Sequence, residues 1–350
     1  MAPEATWKKY ILTFRTPART SRGTLHRRSI WVVRVTDAGD SGQTGYGECS
    51  PLPGLSPDDR PDFEKMLEKA CAQVSTGSFS PQDIPTTFPS IRFGLETALL
   101  DLQREGRQLW YPSLFTEGKR AIPINGLIWM ADKASMRRQI IRKLEEGYRV
   151  IKLKIGGLAF EQELSLLQFI RREFRTDYPE IRLDANGAFT PEEAPEKLKK
   201  LADYDIHSIE QPLRPGQWLE MASLCRTSPI PIALDEELIA PRDDTEKKKL
   251  LNTIRPAYLI LKPTLLGGFA ACEEWIALAK NAGTGWWITS ALESNLGLNA
   301  IAQWTYTLNN PLPQGLGTGQ LYASNFDSPL FIRQGHLRYD PGHKTTIRLT

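Results

Sequence analysis

Hydrophobic and polar positions follow two different patterns along the chain, and the change falls near residue 120. Before it, apolar positions recur first at strand spacing, predicting strands over residues 7–14 and 30–36. The second strand runs into the turn-rich stretch TDAGDSGQTG and then GYGEC, a hairpin-like return. Pro, Asp and Gly cluster over 51–62, and apolar residues then take helical spacing over 63–75 and 90–105. Strands followed by helices predict a small α+β unit.

From about 121 the pattern alternates. Short apolar or β-branched runs (AIPINGLI, VIKLKIG, IRLDAN, HSIEQP, PIALDEEL, AYLILKP, WWITSALE, GLGTG) are separated by longer amphipathic stretches. Thr190-Pro191-Glu192-Glu193 supplies a helix start, with a cap, a first-turn proline and carboxylates near the positive end of the helix dipole. Such a repeat fits a parallel barrel or a doubly wound sheet. The polar residues favour the barrel. A doubly wound sheet gathers its ligand site at one switch point, whereas here nearly every run ends in a reactive side chain, at 152, 154, 184, 210, 235 and 262. In a TIM barrel every strand contributes its C-terminal end to one central site. The expected fold is therefore α/β. A modified TIM barrel over 121–320 carries the chemistry, and an N-terminal α+β capping domain over 1–120 is completed by about 321–350.

Composition narrows the function classes. The chain has 350 residues, 41% hydrophobic and 24% charged, ordinary values for a globular protein of about two domains. A net charge of +3 offers no case for a nucleic-acid partner. No apolar run reaches the ~18 residues of a membrane span, and the N-terminus MAPEATWKKY lacks the apolar segment of a signal peptide. Cys49, Cys71, Cys225 and Cys272 form no CxxC pair, which argues against a zinc or redox motif. A cytoplasmic protein is expected, and the sequence carries no signal of its oligomeric state.

Three carboxylates end three consecutive strands: Asp184 in RLDAN, Glu210 in SIEQP and Asp235 in ALDEE. Neighbouring strands lie ~4.8 Å apart, so these groups can converge. Convergent carboxylates repel unless a cation joins them, and a hard divalent ion such as Mg²⁺, or Mn²⁺ in its place, suits oxygen ligands. Strand alternation places Asp235 and Glu237 on one face and Glu236 on the other. Lys152 and Lys154 share one face of VIKLKIG, and burying two unpaired lysines is costly. Beside each other and a metal they are expected to have depressed pKa values, as a general base requires. Lys262 in LILKP lies four strands further round, across the barrel mouth from Lys154. The arrangement suits removal of a proton α to a carboxylate, with the metal stabilising the resulting enediolate. Between Lys152 and Lys154 as base, the residues alone do not choose.

The ordered motifs KLK, RLDAN, SIEQP, ALDEE and LILKP resemble the enolase superfamily, in the branch of the muconate lactonising enzymes. The superfamily is known for a Lys or His base working with Mg²⁺. Within it, GYGECSPLPGLS, INGLIWM, TSALESNLGLNAIAQW and GLGTGQLY are most similar to the o-succinylbenzoate synthase family. The resemblance implies a lyase of menaquinone biosynthesis. Its substrate would be the small dicarboxylate 2-succinyl-6-hydroxy-2,4-cyclohexadiene-1-carboxylate, dehydrated with syn stereochemistry through an enediolate. It also implies Lys154 as base and then acid, and Lys152 near the substrate carboxylate and metal. Lys262 would lie over the opposite ring face in a cation–π-like role.

Arg182 shares the inward face with Asp184 and is a candidate to hold Lys154 or the ring substituents. Ser290 in TSALES is a candidate for the succinyl carboxylate, and Gly317 in GLGTG leaves room for substrate. A phosphate loop is rejected there because no GKS or GKT follows. The basic stretch 15–28 is expected to be a loop that closes over the anionic substrate, with a solvated loop as the alternative. Glu48 is placed near the domain interface by the resemblance, with a hairpin-end salt bridge as its alternative. Sister activities (N-acylamino acid racemase, dipeptide epimerase, cycloisomerase) share the catalytic residues. The epimerases' acidic DxD at the last barrel strand is replaced here by GLGTG, and a non-catalytic scaffold would be expected to have lost part of the set.

Overall fold

In the computed structural model, residues 2–20, 23–39, 42–77, 79–174, 178–343, 345 and 347 are described. Strands β1 (Glu4–Thr20), β2 (Gly23–Thr36) and β3 (Thr44–Cys49) form an antiparallel sheet in that order. Helices α1 (Phe63–Val74) and α2 (Pro89–Gln103) pack against it. The packing of α2 on β3 relies on missing side chains: a Cβ on Gly47 would stand 1.9 Å from the Gly94 carbonyl oxygen. Trp31, Val33 and Val35 of β2 meet Phe63, Leu67, Leu95 and Ala98 in a separate small core.

The basic stretch 15–28 is not a loop. Its residues 15–20 and 23–28 extend β1 and β2; Ser21 and Arg22, and the side chains of Arg19 and Thr20, lie outside the described set. Ala18 pairs with Leu25 after an irregularity in register that begins at Thr13. The outer edge of β1 is also occupied, since the Arg15 amide donates to the Leu321 carbonyl and the Ala323 amide to that of Thr13. Pairing between β1 and β2, with the tail bonds at Thr13 and Arg15, satisfies backbone groups and keeps the segment extended despite its charge.

The rest of the chain alternates strand and helix: β4 (Ile122–Pro123), β5 (Gly126–Ile128), α3 (Lys133–Glu145), β6 (Val150–Lys154), α4 (Phe160–Glu173), β7 (Glu180–Asp184), α5 (Ala194–Ala202), β8 (Ile206–Glu210), α6 (Trp218–Thr227), β9 (Ile232–Leu234), α7 (Asp244–Ile254), β10 (Tyr258–Leu261), α8 (Pro263–Leu266), α9 (Phe269–Ala282), β11 (Gly285–Ile288) and α10 (Asn295–Thr307). Strands β5 to β11 pair in sequence order as one seven-stranded parallel sheet. The eighth position of the ring is two residues wide: Gln314 bridges to Ile124, before β5, and Gly315 to Thr289, after β11. Gly315 is required there, because a Cβ would lie 2.5 Å from the Thr289 hydroxyl.

Local signals set several helix starts. Asp132 and Asp243 accept the amides of Ser135 and Glu246 and cap α3 and α7. Thr190 and Glu193 also form reciprocal bonds, but α5 begins only at Ala194, so the predicted start caps a preceding turn. After the barrel, β12 (Leu330–Arg333) and β13 (His336–Tyr339) form a hairpin, and β13 pairs with β4 at the barrel entrance. The tail thus contacts both units: residues 321–323 pair with β1, and β13 pairs with β4. One large core runs from the barrel interior and its helices to Leu12 and Ile30 of the first sheet.

Candidate active site

Strands β6, β7 and β8 deliver Lys152, Lys154, Asp184 and Glu210 in register: Lys154 lies beside Asp184, and Asp184 beside Glu210. Asp235 and Lys262 each follow directly on the next two strands. All six are buried or nearly so, with Asp184 at 1% exposure and Glu210 and Asp235 at 2%. Lys152 Nζ sits 2.6 Å from Glu210 Oε2 and 3.0 Å from Asp184 Oδ2. Lys154 Nζ donates to Asp184 Oδ2 at 3.0 Å and to Asn186 Oδ1 at 2.7 Å, and Lys262 pairs with Asp235. Lys152, Lys154 and Lys262 line one cavity of about 100 Å³. With the eighth ring position counted, β6 and β10 are diametrically opposed, so Lys154 and Lys262 enter that cavity from opposite sides.

The charges on these groups depend on one another. Burial works against the ammonium of Lys152, but Asp184, Glu210 and Asp235 outweigh it and its pKa is raised. Lys262 is raised in the same way against burial, chiefly by Asp235 and then Glu210. Burial would raise Asp184, yet Lys152, Lys154 and Lys262 hold it below the usual carboxylate range. Glu210 is pushed up by burial and by the charge on Asp184. The depressed value expected for Lys152 is therefore not found in the protein alone, because three carboxylates outweigh its lysine neighbour.

Other candidates fall in different places. Ser290 and Gly317 line the cavity, with the Ser290 hydroxyl donating to Glu293 at 2.6 Å. Arg182 does not. Its guanidinium bonds to Glu180 and to the Pro313 carbonyl and stacks over Trp287, 4.2 Å from the ring centroid, so it lies inside the barrel away from the cavity lining. Arg182 and Asp184 share the inward face of β7, but a long side chain can follow that face in either direction. Glu236 lines the cavity and accepts from Asn186 Nδ2, whereas Glu237 turns away to Gly216 and Trp218. Strand alternation fails here because a 3₁₀ turn starts at Glu236. Among the described residues Glu48 forms no hairpin-end salt bridge; it is fully buried and accepts the amides of Ser294 and Gly297 at the start of α10. Burial raises its pKa. Sequence reasoning missed Asn186, the second acceptor of Lys154, although its place two residues after Asp184 was a usable signal. It also missed Leu52 and Leu55, which reach the cavity from the first domain.

The family model described as Enolase C-terminal domain-like matches residues 135–348, and that of the MenC N-terminal domain matches residues 4–102. The chain is 47% identical to the o-succinylbenzoate synthase of Desulfotalea psychrophila, over 95% of this chain and 98% of that protein. It belongs to the o-succinylbenzoate synthase family of the enolase superfamily. The crystal structure of MenC from the same organism superposes with a TM-score of 0.82 at 44% identity, covering 97% of this chain and 100% of that one. The L-Ala-D/L-Glu epimerase of Bacillus subtilis, at 20% identity and a TM-score of 0.81 over 97% of this chain and 96% of its own, shares the fold.

Enolase-superfamily enzymes generally use Mg²⁺, and the donor set here fits such an ion. Asp184, Glu210 and Asp235 are buried oxygen donors on consecutive strands, and Glu210 Oε1 is buried with no hydrogen-bond partner. As the side chains stand, no three acidic, His or Cys groups among the described residues are drawn together at metal-holding distance. The lysine ammonium groups lie against the carboxylates instead.

Proposed function

We infer that this chain is a lyase that dehydrates 2-succinyl-6-hydroxy-2,4-cyclohexadiene-1-carboxylate to 2-succinylbenzoate in menaquinone biosynthesis. The observation that carries the reading is three strand-end carboxylates paired with three lysines, two of them opposed across the cavity, in a chain of this family. We assign Asp184, Glu210 and Asp235 to hold Mg²⁺, or Mn²⁺ in its place. When bound, the ion would supply positive charge to the substrate carboxylate.

Lys154 takes the ring proton next to that carboxylate, and the electron pair delocalises into the carboxylate. The pair then returns to form the ring double bond as the C–O bond breaks on the same face. The departing hydroxide takes the proton from Lys154 and leaves as water, so one water is lost and an aromatic ring is gained. Asn186 and Asp184 fix the Lys154 amine through the bonds described above. Lys262 lies over the other ring face and stabilises the anion as a cation. Lys152, fixed by its bonds to Asp184 and Glu210, lies near the substrate carboxylate and the metal ligands. Ser290 and Gly317 border the space assigned to the succinyl arm. Arg182 is given no substrate contact.

Domain bounds of 1–120 and 121–320, with 321–350 returning to the first unit, go with this reading. So does a cytoplasmic setting, which the four free thiols support. No helix among the described residues is long and apolar enough to cross a membrane.

The test follows the loss of diene absorbance in the Mg²⁺-loaded protein and in Lys154→Ala. Turnover should fall about 10³-fold in the variant, within the usual range for a general base. A variant within tenfold of the parent would remove Lys154 from that role.

A further inference from the structure

The cavity has two walls from different domains. Leu52 and Leu55 come from the segment after β3, and Ser290, Ala291 and Leu292 from the turn after β11. One side chain reaches both. Arg28 of β2 is 1% exposed, and its guanidinium donates to the Ser50 carbonyl on one side and to the Ala291 and Leu292 carbonyls on the other. Its charge is enclosed with two fully buried carboxylates, Glu48 and Glu293, all three acting on the buried Tyr322 hydroxyl.

The turn it grips is an unusual one. Leu292 has φ 65°, a left-handed conformation that a branched side chain enters only when its surroundings impose it. The amides of the turn are held from within: Glu293 accepts the Ala291 amide at 3.0 Å and the Ser290 hydroxyl accepts the Leu292 amide at 3.0 Å. The Ala291 carbonyl turns to Arg28, and the Leu292 carbonyl to Arg28 and to the Tyr322 hydroxyl at 2.6 Å. Unpaired, such buried carbonyls are costly. A planar guanidinium spans three carbonyls in a way a lysine ammonium does not.

We propose that Arg28 is a positioning residue that clamps the two walls of the substrate cavity together, and so sets how the substrate is held without touching it. The lysines and carboxylates stand on barrel strands outside the clamp. Loosening it removes binding common to the ground state and the transition state, which appears in KM rather than in kcat. The expectation for KM rests on the activity inferred above; the expectation for the walls does not.

The experiment compares hydrogen–deuterium exchange and steady-state kinetics of the Mg²⁺-loaded parent, Arg28→Met, Arg28→Lys and Tyr322→Phe. In Arg28→Met, amides of 50–55 and of 289–294 should both exchange at least tenfold faster. KM should rise at least tenfold while kcat changes less than threefold. Arg28→Lys should restore part of both effects. Tyr322→Phe should loosen 289–294 alone. If only one wall loosens in Arg28→Met, or if kcat falls with KM unchanged, the clamp is overturned. If Arg28→Met does not fold, Arg28→Lys decides, and exchange and KM within twofold of the parent overturn the proposal. A parent that leaves the diene untouched would refute the activity, while the exchange of the two walls would still decide the clamp.

Discussion

Lys154 has two acceptors, and they differ in kind. Asp184 is charged and shared with Lys152, whereas Asn186 is neutral, with its amide fixed by a bond from Nδ2 to Glu236. Asn186 therefore orients the amine without adding charge to it, and a positive φ of 44° places its side chain beside the strand end. Asn186→Leu keeps the branched shape and removes both the acceptor and the Nδ2 donor to Glu236. Misplacing a reacting group by about 1 Å can cost about 100-fold. A fall of that size in kcat, with Mg²⁺ affinity measured by calorimetry unchanged, is expected. Unaltered kcat would show that Asp184 alone suffices to place Lys154.

At the scale of elements, close contact and burial control separate properties. The α2–β3 contact leaves no room for a side chain at Gly47, and the opposing atom is backbone. Gly47→Ala should destabilise the fold by about 1–3 kcal/mol, the usual cost of overpacking, read as a shift in the urea midpoint. Glu96 of α2 caps α9 by accepting the amides of Phe269 and Ala270 at 2.6 and 3.1 Å. Burial nevertheless pushes its carboxyl up from 4.5 to about 7. Between those values the native state holds a proton that the unfolded chain has released, so its contribution to stability falls as pH rises through that window. Glu96→Gln does not titrate. The stability of the parent relative to the variant should decline from pH 4.5 to about 7 and level off outside. A flat difference in urea titrations across that range would mean that the capping amides offset the burial.

For the whole molecule, the site has its own internal neutralisation. Three lysines face three carboxylates inside the barrel, so the ring of strands does not depend on a bound cation to avoid repulsion. Chelator-treated protein should keep its circular dichroism spectrum while losing turnover. Added Mg²⁺ should raise the melting temperature, with about 2.7 kcal/mol gained at a hundredfold excess over Kd. Asp184→Asn should lose most of that gain. Collapse of the spectrum on chelation would show that the lysine pairs are too weak to hold the carboxylates together.

The order and chemistry of the strand ends were legible in the sequence. Parallel strands advance by one helix each, so a reactive residue at each strand's end recurs at a nearly even spacing, and a barrel is the arrangement that gathers such residues. The family motifs around Lys154, Asp184, Glu210, Asp235 and Lys262 were legible for the same reason: they are short, local and set by strand alternation. Side chains whose course is set by distant partners were not legible in the same way. The direction of Arg182 along the barrel depends on Trp287 and Pro313, far away in the chain. The inward turn of Glu236 depends on a 3₁₀ turn, and the outer-edge bonds of β1 at Thr13 and Arg15 on a tail more than 300 residues later. For Glu48 only the resemblance points to the domain interface, and Arg28 is one of several basic residues in a stretch expected to be a loop, since nothing local distinguishes a hairpin charge that meets solvent from one that meets a buried turn far along the chain. Sequence alone determined which groups ring the barrel mouth, because that follows from period and pairing. Tertiary structure decided which long side chains turn into the cavity and what holds its walls together, because those contacts join segments that only the folded chain brings within hydrogen-bonding distance.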